Sequence, residues 1–203
     1  MNKVIHTPLI LASQSQSRAK ILSQIGLVFQ SIPSGIDEDI LKKQGQQEGW
    51  PIETIAMELA RAKAQQVSDQ YNDALVIGAD QIMSCDGLAF DKALSLEEAK
   101  EQLRFISGKP HFLHTACVLF YAGQEVWSNL STPILNVRLL TEEFIDDYVI
   151  HLRDDALRSV GCYQIEGRGA QLFDCIDGDI FTIMGLPVFP LLQELRQRRV
   201  VLS

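Results

Sequence analysis

Short apolar runs and longer helical stripes follow one another along this chain. Leu9–Ala12 is a short apolar run after Pro8 and reads as a strand. The polar turn Ser13-Gln14-Ser15-Gln16-Ser17 follows. From Arg18 to Ile25 the period becomes helical, with Ile21, Leu22 and Ile25 on one face and Gly26 placed to end the helix. Leu27–Ile32 reads as a second strand. Ser34–Gly49 is polar, acidic and interrupted by glycine, and is expected to be a loop. Pro51 opens a long helix whose apolar stripe is Ile55, Leu59, Ala60, Ala64 and Val67, with Arg61, Lys63 and Asp69 off it.

Ala74–Gly78 is a strand that delivers Asp80 at its carboxyl end, the end at which open α/β sheets bind ligands. Gln81–Cys85 and Leu88–Phe90 flank Asp86-Gly87, a strong hairpin signal. Ser95-Leu96-Glu97-Glu98 has the pattern of a capping box and starts a helix to about Ile106, stopped by Ser107-Gly108-Lys109-Pro110. Leu113–Tyr121 and Val126–Leu139 are long strand-like runs joined at Ala122-Gly123-Gln124. Thr141 with Glu142 and Glu143 starts a helix to about Leu152, with its acids at the favoured end of the dipole. Tyr163–Ile176, broken by Gly167 and Gly169, is expected as strand, turn, strand, and Gly185-Leu186-Pro187 opens a last helix to about Arg199. Helices alternate with strands, but long adjacent strands occupy the middle. The expected class is α/β, a mixed sheet with flanking helices.

A chain of 203 residues is long enough for a substantial core in one domain, 1–203, or two small lobes. Its net charge of −8 and lack of a basic run argue against nucleic acid as a partner, and the Arg196–Arg199 cluster reads as the charged end of the last helix. No apolar segment approaches the length of a membrane span, and the first residues are too polar for a secretory signal, so no membrane association and a cytoplasmic location are expected. Cys85, Cys117, Cys162 and Cys175 are widely spaced and form no CxxC pair. They read as buried small hydrophobes rather than as a zinc site or a disulfide framework.

Several polar residues are candidates for chemistry. The Ser13–Arg18 turn joins a strand to a helix, so its N–H groups and serine hydroxyls converge where phosphate binds well, and Arg18 adds a guanidinium. The alternative is a serine-capped helix with one surface arginine. The turn is not a P-loop, and no GxGxxG points to a dinucleotide. Asp80 is either a functional carboxylate or the cap of a turn. Asp37, Glu38 and Asp39 are either a solvated cluster or part of a magnesium–triphosphate site, since hard cations take oxygen ligands. Lys63 and Lys92 are isolated cations of the kind that usually faces solvent. His111 and His114 sit in strand-like surroundings and are expected to be structural. No Gly-x-Ser-x-Gly elbow supports a serine hydrolase. Tyr163–Gly169 either lines a pocket or turns a hairpin.

In order and in register, Leu-Ala-Ser13-x-Ser15-x-x-Arg18, Ile-Asp37-Glu38, Leu59-Ala-x-x-Lys63-Ala, Gly78-Ala-Asp80, Lys92 after the Asp-Gly hairpin, Ser107-Gly108 with His111, Gly161-x-Tyr163-x-x-Glu166-Gly167 and Gly185-Leu186-Pro187 resemble the Maf (septum formation) family, from about Leu9 to Leu195. The resemblance implies a mixed α/β fold of two lobes around a cleft, similar to inosine-triphosphate pyrophosphatases. It also implies hydrolysis of nucleoside triphosphates to monophosphate and pyrophosphate with a divalent metal, Mg2+ or Mn2+, as house-cleaning of the nucleotide pool. Asp80 then matches the proton acceptor. Ser15 and Arg18 match the phosphate-binding Ser-x-x-Arg, with Ser13 beside them in the same turn. Glu38, Lys63 and Lys92 match the other charged cleft residues, with Glu38 or Asp37 as the loop acid and Glu38 and Asp80 as metal ligands. Glu166 stands at the base-recognition position, where many members have Gln, and resembles the branch acting on 7-methyl-GTP more than the branch acting on dTTP and UTP. Two further departures are Ala19, where many members have a second basic residue, and Ser159-Val160-Gly161 before the tyrosine. The expected partners are a nucleoside triphosphate and, for a homodimer, a second copy of the chain. The rival class is a nucleotide-binding regulator of cell division that acts through a partner.

Overall fold

In chain order, the computed structural model contains β1 (Leu9–Leu11), α1 (Gln16–Gln24), β2 (Gln30–Ser31), α2 (Glu38–Gln47), α3 (Ile52–Ser68), β3 (Leu75–Cys85), β4 (Leu88–Phe90), α4 (Leu96–Ile106), β5 (Pro110–Tyr121), β6 (Gln124–Ser131), β7 (Ile134–Val137), α5 (Glu142–Leu152), β8 (Phe173–Asp177), α6 (Ile180–Ile183) and α7 (Val188–Gln197). It describes residues 7–153, 157 and 159–202. The strands form a mixed sheet in the order β2-β1-β3-β5-β7-β8, with β4 paired to β3 and β6 to β5. This is the α/β class expected from the alternation of elements.

The chain divides into two compact units. The first comprises the chain up to Gln81, Thr115–Ser131 and the segment from Gly185 onward. In it β1 is parallel to β2 and β3, with Leu9, Ile10 and Leu11 opposite Leu75, Val76 and Ile77. All three β1 residues are buried, as an apolar run inside a parallel arrangement requires. Helix α3 lies so close to β3 that a Cβ on Gly78 would fall 2.2 Å from the Ala60 carbonyl oxygen and 2.7 Å from Ala64 Cβ. Only glycine fits there.

The second unit comprises Ile82–His114 and Thr132–Met184. Asp86 (φ 51°) and Gly87 (φ 77°) turn the β3–β4 hairpin, a tight turn with two left-handed residues. Ser95 caps α4 by accepting from Glu98 N–H, and Thr141 caps α5 by accepting from Phe144 N–H. Leu103, Ile106, Leu113, Leu135 and Tyr148 fill the core of this unit.

Four expectations are corrected. Ser34–Gly49 is not a loop throughout: Glu38–Gln47 is helical, capped by Asp37, and packing overrides its polar composition. Gly45 is the contact point, since a Cβ there would meet Ile55 Cγ1 at 2.8 Å and Trp50 Cε3 at 3.0 Å. The strand read as Ala74–Gly78 does not stop before Asp80; β3 runs on to Cys85, because Met83–Cys85 pairs with β4. Val126–Leu139 is divided at Pro133, which cannot donate to a ladder, into β6 and β7. Tyr163–Ile176 contributes only Phe173–Asp177 as strand. Before it the chain doubles back, and a Cβ on Gly169 would lie 2.4 Å from the Gln164 carbonyl oxygen.

Candidate functional site

The first unit gathers two polar groups beside neighbouring parallel strands, one just past the end of β1 and one within β3. Leu11 pairs with Ile77, and Ala12 N–H donates to the Ile77 carbonyl at 2.8 Å. From that matched pair, Ser13 lies two residues on, just beyond β1, and Asp80 three residues on, within β3.

The first group forms where β1 turns into α1. Ser13 Oγ accepts from Ser15 N–H at 3.1 Å, and Ser15 Oγ caps α1 by accepting from Arg18 N–H at 3.4 Å. The alternatives for this turn meet here: it is a serine-capped helix, but Arg18 is not a surface arginine. Arg18 is only 9% exposed. Its Nε–H donates to the Gly185 carbonyl at 2.9 Å and its Nη1 donates to Ser13 Oγ at 3.4 Å. A buried guanidinium loses mobility and hydration, so it needs such partners.

The second group centres on Lys63. Its spacing in the helix set it off the α3 stripe, and solvent exposure was the ordinary expectation. It is instead buried, 6% exposed, as is Asp80. Lys63 Nζ lies 2.6 Å from Asp80 Oδ1 and 2.9 Å from Glu38 Oε1. The close seating of α3 on Gly78 brings the ammonium to the strand two residues further on. Asp37 and Glu38 separate in role: Asp37 accepts from Asp39 N–H and Ile40 N–H as the α2 cap, while Glu38, with 43% of its side chain exposed, reaches Lys63. Two carboxylates thus converge on one ammonium, and one of them keeps contact with water. Among the described residues no cluster of three or more His, Cys, Asp and Glu side chains forms a metal cage.

Lys92 and Glu166 belong to the second unit, and both are exposed there. His111 and His114 lie in that unit as well, in structural contacts: His111 Nε2 is hydrogen-bonded to Tyr163 Oη at 2.8 Å and His114 Nε2 to Ser84 Oγ at 2.8 Å. Burial lowers the pKa of His111 to about 4. Cys85, Cys117 and Cys162 are buried as expected, whereas Cys175 is exposed, because it lies on the edge strand β8, whose residues Asp174–Asp177 are all exposed. Burial pushes the Cys117 thiol up to about 12, with the nearby Arg18 charge pulling the other way. Two participants have no polar side chain to mark them in the sequence: the Gly185 carbonyl on Arg18 and the Gly78 gap beneath α3.

No helix among the described residues is long and apolar enough to cross a membrane. A protein 42% identical over 193 residues, from Granulibacter bethesdensis, is named nucleoside triphosphate pyrophosphatase; the match covers 95% of this chain and 98% of the relative. One from Bartonella henselae, 46% identical over 193 residues and covering 95% of this chain and 96% of the relative, is named 7-methyl-GTP pyrophosphatase. One from Rhodospirillum rubrum is 40% identical over 196 residues, covers 97% of each chain and is named nucleoside triphosphate pyrophosphatase. A family model described as Maf-like protein matches residues 8–198, and the chain belongs to that family.

Proposed function

We propose that this chain is a nucleoside triphosphate pyrophosphatase: it hydrolyses a nucleoside triphosphate, standard or modified, to the monophosphate and pyrophosphate, and cleans the nucleotide pool of the cytoplasm. The observation that carries the reading is the buried Asp80–Lys63 pair, 2.6 Å apart, with Glu38 on the same ammonium. Burying charges is costly, and fixed carboxylates and cations are what phosphoryl chemistry uses, since it depends on positioning and electrostatics.

In this mechanism water attacks the α-phosphorus and pyrophosphate leaves. Asp80 takes the proton of the attacking water, and Lys63 fixes the orientation of its carboxylate. Arg18, Ser13 and Ser15 grip the phosphates, with N–H groups at the start of α1 directed to the same place. Lys92 adds a cation to the triphosphate, and Glu166 reads the base. Asp80 and Glu38 are the residues that would hold Mg2+ or Mn2+. Two carboxylates completed by substrate phosphates and water form an oxygen donor set that suits these ions. Bound there, such an ion would offset charge on the phosphates. The carboxylate of Glu166 favours a base rich in N–H donors and bearing positive charge, as 7-methylguanine does.

The test is a turnover screen over standard and modified nucleoside triphosphates, 7-methyl-GTP included, with magnesium and with manganese, reading pyrophosphate and orthophosphate separately. Pyrophosphate release is expected, and Asp80→Asn is expected to lower kcat by roughly 100-fold or more. Orthophosphate as the first product, binding without turnover, or an unimpaired Asp80→Asn variant would each defeat the proposal. Binding without turnover would favour a nucleotide-responsive regulator.

A further inference from the structure

We infer that Gly185 is a positioning residue for the phosphate grip: its carbonyl, free of a neighbouring side chain, fixes the plane of the Arg18 guanidinium. The inference rests on the reading of Arg18 as a phosphate-binding cation.

A guanidinium has five N–H donors in a rigid plane, so fixing two of them directs the rest. The Gly185 carbonyl takes the Nε–H at 2.9 Å and Ser13 Oγ takes one Nη1–H at 3.4 Å. Three donors are left for a ligand. The carbonyl is held in place by its neighbours in the chain, since Leu186 and Val188 are fully or almost fully buried. Gly185 has φ +104°, where L residues are strained. A Cβ there would lie 3.5 Å from Arg18 Nε and 3.6 Å from Nη2, in van der Waals contact with the guanidinium, so the strain of a substitution comes from the backbone. Backbone freedom alone would explain a glycine at this φ. It does not explain why the carbonyl bonds the one buried arginine of α1, 167 residues away in sequence.

The test compares the full chain with Gly185→Ala, Arg18→Ala and the double variant. Binding of inorganic tripolyphosphate is measured by titration calorimetry, and KM and kcat are measured on the triphosphate turned over fastest. Arg18→Ala is expected to weaken tripolyphosphate about tenfold, equal to about 1.4 kcal/mol. Gly185→Ala is expected to weaken it about fivefold and to raise KM by a similar factor with kcat within twofold of wild type, because a misaligned guanidinium loses fork geometry. The double variant is expected to bind no worse than Arg18→Ala, because the glycine acts through the arginine. Gly185→Ala binding as well as wild type, or losses that multiply in the double variant, would overturn the inference. If Gly185→Ala does not fold, Arg18→Lys decides. Lysine keeps the charge but loses the Nε–H to Gly185, so it should bind nearly as poorly as Arg18→Ala; wild-type binding by Arg18→Lys overturns the inference. A wild type that binds tripolyphosphate but hydrolyses no triphosphate defeats the pyrophosphatase reading and leaves this inference standing. A wild type that does not bind tripolyphosphate removes the role of Arg18 and the inference with it.

Discussion

Replacing Lys63 with methionine is expected to destabilise the first unit more than any single change to its partners. The Lys63 and Asp80 side chains are 7% and 9% exposed, and among the described residues Lys63 is the ion-pair partner of Asp80. Removing the ammonium leaves an uncompensated buried carboxylate, a change that typically costs about 3–5 kcal/mol. The second bridge adds little to that figure: Glu38 is 43% exposed, and a pair open to water contributes about 1 kcal/mol at most. Asp80→Asn is milder, about 1–2 kcal/mol, because Lys63 keeps Glu38 and the amide oxygen still accepts a hydrogen bond. The pair Lys63→Met with Asp80→Asn removes both charges and should recover about 2 kcal/mol relative to Lys63→Met alone.

Urea unfolding followed by tryptophan fluorescence suits the measurement, because Trp50 and Trp127 both lie in the first unit. At about 2–4 °C per kcal/mol for a chain of this size, thermal melts should show Lys63→Met lowered by roughly 6–20 °C. Two results would refute the reasoning. One is a Lys63→Met variant within about 1 kcal/mol of wild type. The other is a double variant less stable than Lys63→Met.

Gly78→Ala should destabilise the protein by about 2 kcal/mol or more, because its methyl group would lie 2.2 Å from the Ala60 carbonyl oxygen; the same urea titration checks it, and an unaltered midpoint contradicts the close approach of α3. His111 gives a pH dependence. Its folded pKa of about 4 lies below the usual 6.5, so the unfolded chain binds the proton first, and stability is complete above pH 6.5 and declines as pH falls toward 4. The loss amounts to about 3 kcal/mol at the lower limit. Calorimetric melts from pH 7 to 4 should show a shallower decline for His111→Gln than for wild type, and parallel curves would exclude His111 as a source. Asp37→Ala should cost about 1 kcal/mol through the lost α2 cap and leave kcat near wild type, which urea titration and a turnover assay check together.

The features legible in the sequence are those whose cause is local. Asp86-Gly87 specifies a hairpin by itself, and Ser95 and Thr141 announce helix starts because a cap acts within one turn. Helix α2 was hidden because its sequence is polar overall, with Ile40 and Leu41 as its only large apolar residues, and its one buried residue is a glycine. The site was legible as residue types but not as contacts. Lys63 meets Asp80 across 17 residues of sequence and Arg18 meets Gly185 across 167, and no periodicity reports such distances. Helical spacing assigns an off-stripe lysine to water, because it assumes that the strand beneath keeps the helix at an ordinary separation. Ala60, Ala64 and Gly78 remove that separation. Ala60-x-x-Lys63-Ala64 on the helix and Gly78-Ala79-Asp80 on the strand are therefore two halves of one device. Each half places small residues beside a charge, so that backbone approaches backbone and the two charges close on each other away from water.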